Sequence, residues 1–231
     1  MDQMLFSYSL LMTSFAVFAI TAVYSSISDM KKRSVNSFTF LPMFAIATLY
    51  YAYIHDYYLV AFTIILMVAT FIRTDSYLYF ILPITAFVMA MILGAMSIGT
   101  IIAVVLTLLG YRETLFGIGD VKAEVSYILA FQYISRPLFG ASVFAISFLI
   151  YLSIFSVLAI AAFYVHAAII GLKFRGIHLA YDEAEYSRNR QKYRVIGSGD
   201  QAIMSYRMPF LVPINLAALF AVLIGLPQMF I

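Results

Sequence analysis

Long apolar stretches, separated by short groups of charged residues, make up most of the chain. No charged residue occurs between positions 3 and 28, and then Asp29 and a basic cluster at 31–33 follow. A helix that crosses a bilayer needs about 20 mostly apolar residues at 1.5 Å per residue. Divided at its charges and glycines, the pattern predicts eight crossings. Their expected bounds are 4–27, 37–54, 57–72, 77–94, 98–111, 120–135, 138–171 and 208–230.

Two uncharged stretches are long for a single crossing. The stretch 76–111 contains Gly94, Ser97 and Gly99 near its middle, which predicts a turn at 95–98 and two helices. The stretch 137–172 has no such break between Gly140 and Gly171, so one helix that overshoots the membrane is expected there. If one adjacent pair of crossings were absent, six would remain with the same orientation.

Composition supports an all-α polytopic membrane bundle. Hydrophobic residues make up 64% of the 231 positions and charged residues 11%, against about 25% charged in soluble domains. These proportions exclude a water-soluble fold and a large second domain. We therefore expect one membrane-embedded domain over 1–231, with a polar cytoplasmic insertion at 172–207 that has room for a short helix or hairpin.

The basic residues predict the orientation of the bundle. With the N-terminus outside, all of the 14 Lys and Arg residues except Arg136 fall in inner segments, as the positive-inside rule requires. The first apolar stretch lacks a basic region before it and a small-residue cleavage site, so it is expected to be a retained crossing. The predicted location is the cytoplasmic membrane, with the site on the cytoplasmic side.

The residue types restrict the chemistry. The absence of cysteine excludes disulfides, a thiol nucleophile and Cys-based metal sites. His55, His166 and His178 are too scattered in the sequence to predict a metal site. No cofactor and no nucleic-acid partner is expected, and the oligomeric state stays open.

Two aspartates are the leading candidates for chemistry. Asp29 closes the first predicted crossing and Asp120 opens the sixth, so an even number of crossings places both at the inner face. When two carboxyl groups are close, one stays ionised and the other holds a proton, and such a pair can activate water against a peptide carbonyl. Gly117 and Gly119 precede Asp120 and permit a close approach of an extended peptide.

Seven residues also carry a resemblance to a known family: Asp29, Arg33, Asn36, Gly117, Gly119, Asp120 and Lys122. Their order, Asp-x-x-x-Arg-x-x-Asn and then Gly-x-Gly-Asp-x-Lys, resembles the type IV prepilin peptidases and preflagellin (prearchaellin) peptidases, which are GxGD membrane aspartic proteases. The Pro-containing stretch 208–213 is similar to the start of that family's last crossing. The resemblance implies an endopeptidase that cuts class III signal peptides of pilin or archaellin precursors, with Asp29 and Asp120 as its catalytic dyad.

The chain departs from the family pattern in three places. The two aspartates are 91 residues apart, which is wider than expected. The cysteine-containing cytoplasmic domain of bacterial members is absent, so a stand-alone archaeal-type peptidase is the nearer match. Glu124 stands where an apolar residue is expected. It is interpreted either as a group that binds substrate or tunes the dyad, or as a boundary residue, and Lys122 and Arg33 carry the same two alternatives.

Several simpler interpretations stay open. Asp29 could balance the basic cluster at 31–33, and Asp120 could be an ordinary helix N-cap. Asn36 is expected to be a helix cap, and a second Gly-x-Gly-Asp at 197–200 is expected to be a turn. At the level of function, the alternatives are a small transporter that uses Asp29 and Asp120 as a proton or cation relay, and a silent membrane scaffold.

The substrate class suggests one more set of residues. Class III signals carry Lys or Arg just before the cut, so an acidic patch near the mouth of the site would attract them. The available residues are Glu113, Glu124, Asp182, Glu183 and Glu185.

Overall fold

Helices make up most of the part of the chain that the computed structural model describes. That part comprises residues 2–72, 74–111, 117–134, 141–169, 174–175, 178–179, 193–196, 203–206 and 209–225. It contains the helices α1 (Asp2–Lys32), α2 (Leu41–Tyr53), α3 (Tyr57–Phe71), α4 (Tyr77–Ile92), α5 (Ile98–Leu109), α6 (Ile118–Ile134), α7 (Ala141–Ile169) and α8 (Leu211–Gly225). A 3-10 turn, Ser37–Phe40, leads into α2.

Each predicted apolar segment corresponds to one of these helices. The predicted division of 76–111 is confirmed: α4 and α5 are separated by residues 93–97, where Gly94 has a φ of +67° and Ser97 forms a capping box with Thr100 at the start of α5. The stretch 137–172 contains one helix, α7, of 29 residues, as expected from its lack of an internal break.

Helix length supports the helical bundle but does not confirm eight crossings. Two helical segments, Ser9–Lys32 in α1 and Phe144–His166 in α7, are long and apolar enough to span a membrane. The other six helices have between 12 and 17 described residues. At 1.5 Å per residue, 17 residues extend about 26 Å, which is less than the hydrocarbon core of about 30 Å.

Helix α6 is the centre of the bundle. Every residue from 121 to 132 is buried, because α1, α2, α3, α5, α7 and α8 all pack against this helix, while α4 packs against α3 and α5. Helix α5 runs antiparallel to α6: Gly99 faces Gln132 at one end, and Gly110 faces Val121 at the other. Six helices therefore enclose the segment that begins at the predicted Gly-x-Gly-Asp motif.

The outer surface of the bundle is largely apolar. Large hydrophobic side chains are exposed on most of the helices, among them Ile20, Val23, Ile84, Val105, Ile150, Val157 and Phe220. On α7, burial is confined to one side, at positions 144, 145, 148 and 152. An exposed apolar area of this extent marks contact with lipid or with another protein surface.

The polar insertion contains short antiparallel strands, which agree with the hairpin alternative expected for this segment and add a small β component to the otherwise helical fold. Strands β1 (Phe174–Arg175) and β2 (His178–Leu179) pair, and so do β3 (Tyr193–Ile196) and β4 (Ile203–Tyr206). The second Gly-x-Gly-Asp, at 197–200, belongs to the connection between β3 and β4 and lies outside the described residues. Its prediction as a turn stays a prediction.

Candidate active site at one end of α1 and α6

Helices α1 and α6 are antiparallel, and aromatic contacts fix their register. The ring centroid of Phe18 lies 5.0 Å from that of Tyr127 and 5.5 Å from that of Phe131, both edge-to-face. Phe15 also contacts Phe131, at 6.2 Å. Because an earlier residue of α1 meets the later residue of α6, the two helices run in opposite directions.

The helical repeat extends this register to the two aspartates. With 3.6 residues per turn, positions 18, 22, 25 and 29 share one face of α1, and positions 131, 127, 124 and 120 share one face of α6. From Phe18 to Asp29 and from Phe131 to Asp120 there are eleven residues, about 16 Å along each helix axis. Asp29 and Asp120 therefore lie at the same end of facing stripes, with Ser25 and Glu124 one turn deeper.

Asp29 is held near the C-terminal end of α1 by a contact with α8. Its side chain is only 8% exposed, and Oδ2 accepts a hydrogen bond of 3.1 Å from the backbone N–H of Leu211, the first residue of α8. The interpretation in which Asp29 balances the basic cluster applies to Arg33, which attracts the carboxylate electrostatically, whereas Lys31 and Lys32 are exposed.

Arg33 closes the turn after α1. Its backbone is left-handed, with a φ of 53°, which is uncommon for a residue other than glycine. The guanidinium folds back, and Nη1 donates to the carbonyl oxygens of Asp29 at 2.9 Å and Met30 at 3.2 Å. Arg33 also attracts the Asp29 carboxylate electrostatically. The described contacts place it as a C-terminal cap beside Asp29.

Asp120 is the third residue of α6 and not its N-cap. Its Oδ2 accepts from the backbone N–H of Gly117 at 3.3 Å, and the first intrahelical bond runs from the Val121 N–H to the Gly117 oxygen at 3.1 Å. This side-chain contact is one half of a capping box, and the negative charge lies in the first turn, where the helix dipole favours it. Asp120 thus stabilises its helix and stays partly exposed.

The two glycines before Asp120 differ in what surrounds them. A Cβ atom on Gly117 would lie 3.1 Å from Oδ2 of Asp120 and would crowd the carboxylate. A Cβ atom on Gly119 would meet no atom of the described residues within 4 Å, apart from its own helix. The close contact at Gly117 is with the Asp120 side chain, and the approach of an extended peptide stays a prediction.

Lys122 lies on the other side of α6. Two residues along a helix correspond to a rotation of about 200°, so Lys122 points away from the face that carries Asp120. Its Nζ lies 4.3 Å from the ring centroid of Phe71, the last residue of α3, and the side chain is buried. This cation–π contact ties α3 to α6.

Glu124 is the most unusual side chain near the dyad. It is fully buried, and neither carboxyl oxygen has a hydrogen-bond partner among the described residues. Asp120, one turn before it on the same face, acts on it electrostatically. Burial excludes the interpretation of Glu124 as a solvated boundary residue, and it also separates Glu124 from the proposed acidic patch.

A buried polar network, centred on Asn215 of α8, lies directly behind the aspartates. Asn215 Oδ1 accepts from the Tyr127 hydroxyl at 2.7 Å, and Nδ2 lies within hydrogen-bond distance of the Ala22 carbonyl oxygen and of the hydroxyl groups of Ser25 and Ser26, at 3.0, 2.9 and 2.8 Å. These bonds join α8 to α6 and α1. Sequence reasoning missed Asn215, although a lone amide in an apolar helix is the signal that could have identified it.

The remaining sequence predictions have mixed outcomes. Asn36 is confirmed as a cap, since its side chain accepts from the Phe38 N–H at 3.0 Å at the start of the 3-10 turn. The residues Glu113, Asp182, Glu183 and Glu185 lie outside the described part of the chain. Within the described part, no group of three or more His, Asp or Glu side chains is arranged to hold a metal ion.

Comparison with known proteins gives no match. No protein-family model, no curated protein and no solved structure resembles this chain closely enough to count as related.

Proposed function

We propose that this protein is a multi-pass aspartic endopeptidase of the prepilin or preflagellin peptidase type, which cleaves class III signal peptides at the cytoplasmic membrane face. The observation that carries the proposal is the register of α1 and α6, in which Asp29 and Asp120 occupy the same end of two facing stripes. Two carboxyl groups at the ends of adjacent helices, beside an open glycine segment, form an arrangement suited to an aspartic dyad.

The proposed mechanism uses the two carboxyl groups in complementary states. The ionised aspartate takes a proton from a water molecule, whose oxygen attacks the carbonyl carbon of the peptide. The protonated aspartate donates its proton to the carbonyl oxygen, which gives a tetrahedral intermediate with two hydroxyl groups. The aspartate that took the water proton then passes it to the leaving nitrogen, the C–N bond breaks, and one hydroxyl group returns its proton to the other aspartate. The products are a carboxylic acid and an amine, and the dyad again holds one proton.

The glycine segment before α6 is the proposed place for the substrate backbone. An extended peptide next to Asp120 needs room for its main chain, and a Cβ atom on Gly119 would meet no other atom of the described residues within 4 Å. Gly117 keeps the Asp120 carboxylate uncrowded. A cleavage site that precedes an apolar stretch would enter here from the membrane side.

The apolar exterior of the bundle supports the membrane part of the proposal. Exposed aliphatic side chains on α1, α4, α5, α7 and α8 face outward, while the polar side chains of α6 between residues 121 and 132 are buried. We propose eight crossings with the N-terminus outside. In this arrangement the six shorter helices cross together with their flanking residues or in a locally thinned bilayer.

Replacing each aspartate by asparagine tests the proposal directly. Asp29→Asn and Asp120→Asn should each abolish processing of a co-expressed pilin or archaellin precursor, because the amide can neither take nor supply the proton. The measurement is the ratio of precursor to mature subunit on an immunoblot. Full processing by either variant would refute the assignment.

The matched control for this experiment is Asp56→Asn. Asp56 caps α3, where its side chain accepts from the Leu59 N–H at 3.1 Å, and asparagine preserves this cap. Asp200→Asn, in the second Gly-x-Gly-Asp, is a second control. Both variants should process the precursor as the wild type does.

The position of the aspartates favours this proposal over a proton or cation relay. A transporter is expected to carry its acidic groups near the midplane, on interrupted helices. Here Asp29 lies three residues before the end of α1, and Asp120 is the third residue of α6. Proton flux into vesicles that is lost in the Asn variants, without any precursor cleavage by the wild type, would favour the relay instead.

A further inference from the structure

Glu124 has no assigned role in the proposed reaction, yet the burial of its carboxyl group costs free energy of folding. A carboxyl group that is fully buried without a hydrogen-bond partner among the described residues is unfavourable when neutral, and far more so when charged. Native proteins leave few buried polar groups unsatisfied, and those that persist need an explanation. Replacement by an apolar side chain would remove this cost, so packing alone does not account for the carboxyl group.

Its position connects Glu124 to the aspartates. Glu124 follows Asp120 by four residues, which stacks the two side chains on one face of α6, and Asp120 acts on it electrostatically. On the facing stripe of α1 stands Ser25, whose hydroxyl belongs to the Asn215 network. Glu124 therefore lies one helical turn from Asp120, on the face of α6 that packs against α1 through Tyr127 and Phe131.

We propose that Glu124 is a positioning residue for Asp120: it holds a proton in the resting protein and donates it in a hydrogen bond to the Asp120 carboxylate when a peptide occupies the site. This inference rests on the proposed peptidase function. In the resting protein, Asp120 instead accepts a long hydrogen bond of 3.3 Å from Gly117. A substrate backbone that enters beside Gly117 competes for that N–H, and the Asp120 side chain then turns inward toward Glu124.

The proposed hydrogen bond has two consequences for the reaction. It stabilises the ionised form of Asp120 and so assigns the base to Asp120 and the acid to Asp29. It also orients the Asp120 carboxylate toward α1, where Asp29 stands in the paired position. No covalent step involves Glu124, and its proton stays on Glu124 throughout the cycle.

Three variants test this role through kcat and KM for a precursor substrate. Glu124→Gln keeps a neutral hydrogen-bond donor of the same shape and should retain kcat within about threefold. Glu124→Met removes the donor at similar volume and should lower kcat by at least about tenfold, equivalent to about 1.4 kcal/mol, with little change in KM. Gln132→Met is the matched control, because Gln132 is also buried and its amide has no hydrogen-bond partner in the described part of the chain, but it lies about 12 Å farther along α6.

The unfolding temperature of Glu124→Met distinguishes a positioning role of Glu124 from a purely structural role. Glu124→Met should unfold at the same temperature as the wild type or at a higher one, since it removes an unsatisfied polar group. A loss of kcat together with unchanged stability, restored by glutamine, supports the proposal. Wild-type kcat in Glu124→Met, or an equal loss in Gln132→Met, would overturn it.

An infrared measurement tests the proton on Glu124 independently of cleavage. The spectrum of the purified wild type minus that of Glu124→Gln should contain the carbonyl stretch of a protonated carboxyl group. If the difference shows an ionised carboxylate instead, Glu124 does not hold the proton and the inference fails. If the wild type cleaves no precursor, the proposed function fails, while this spectrum still decides the state of Glu124.

Discussion

Helices α6 and α7 distribute their polar residues in opposite ways. Helix α6 has 17 residues, and its buried stretch 121–132 contains Lys122, Glu124, Ser126 and Gln132. Helix α7 has 29 residues and no charged side chain, yet it buries one narrow stripe and exposes the rest. Water-soluble proteins show the reverse, because apolar side chains go inside and charged ones outside. The contrast supports the membrane association proposed for this bundle, and it sets the buried polar side chains of α6 apart from those of the other long apolar helix.

The largest loss of stability is expected in the buried polar network that joins α6 to α1 and α8. Asn215→Leu removes the acceptor of the Tyr127 hydroxyl and the amide that donates to the Ser26 hydroxyl and to the Ala22 oxygen, while the Ser25 hydroxyl keeps its bond to the Ala22 oxygen. Buried polar groups left unpaired cost about 1–3 kcal/mol each. The variant should therefore lose about 3 kcal/mol, measured by denaturant unfolding of the purified protein in detergent, and should also process precursor more slowly.

The control for this variant is on α7. The Ser153 hydroxyl donates to the Leu149 oxygen at 2.9 Å at an exposed position, so Ser153→Ala should change the unfolding free energy by less than about 0.5 kcal/mol. If Ser153→Ala lowered the unfolding free energy as much as Asn215→Leu does, the polar contacts around α6 would not contribute more to stability than those on the exposed side of α7.

A smaller effect is expected at the close approach of α5 and α6. A Cβ atom on Gly110 would lie 2.8 Å from Cγ2 of Val121 and would also meet the Tyr79 hydroxyl oxygen. Gly110→Val should cost about 2 kcal/mol, because overpacking displaces buried neighbours. Thermal unfolding of the purified variant measures this loss of stability.

Gly94 provides the comparison for Gly110. Its φ is +67°, but the space around it is open, so Gly94→Ala should cost only about 1 kcal/mol of backbone strain. A larger loss for Gly94→Ala than for Gly110→Val would show that α5 and α6 are packed less tightly than their glycine contact implies.

The smallest effect is expected on the outer side of α7. Ile154 is about half exposed, and Ile154→Ser should shift the unfolding free energy in detergent by less than about 0.5 kcal/mol. Leu152→Ser, two residues away on the buried stripe, should cost several times more. A large loss for Ile154→Ser would mean that another chain covers this surface.

The helices could be predicted from sequence because each boundary has a local cause. Charged residues, Gly94 and the caps at Asp56 and Ser97 act on their immediate neighbours, and the predicted bounds differ from the observed ones by only a few residues at most ends. The shared end of Asp29 and Asp120 could be predicted as well, since it depends only on an even number of helices between them.

The pairing of side chains could not be predicted in this way. Which residue of α1 faces which residue of α6 depends on how Phe18 packs against Tyr127 and Phe131, a contact between positions more than a hundred residues apart. The burial of Glu124 and the partners of Asn215 follow from the same packing. Sequence identified Glu124 as unusual but could not indicate that it lies in a closed interior.

The contact between Asp29 and Leu211 bears on how the protein is made. The two residues are 182 positions apart, so the ribosome has translated most of the chain before the Leu211 amide exists. Until α8 is synthesised and inserted, Asp29 lacks this donor, and Asn215 is not yet present to join α1 to α6. A nascent chain therefore carries Asp29 long before it can hold that carboxyl group in place, and the proposed peptidase activity should begin only when α8 has docked.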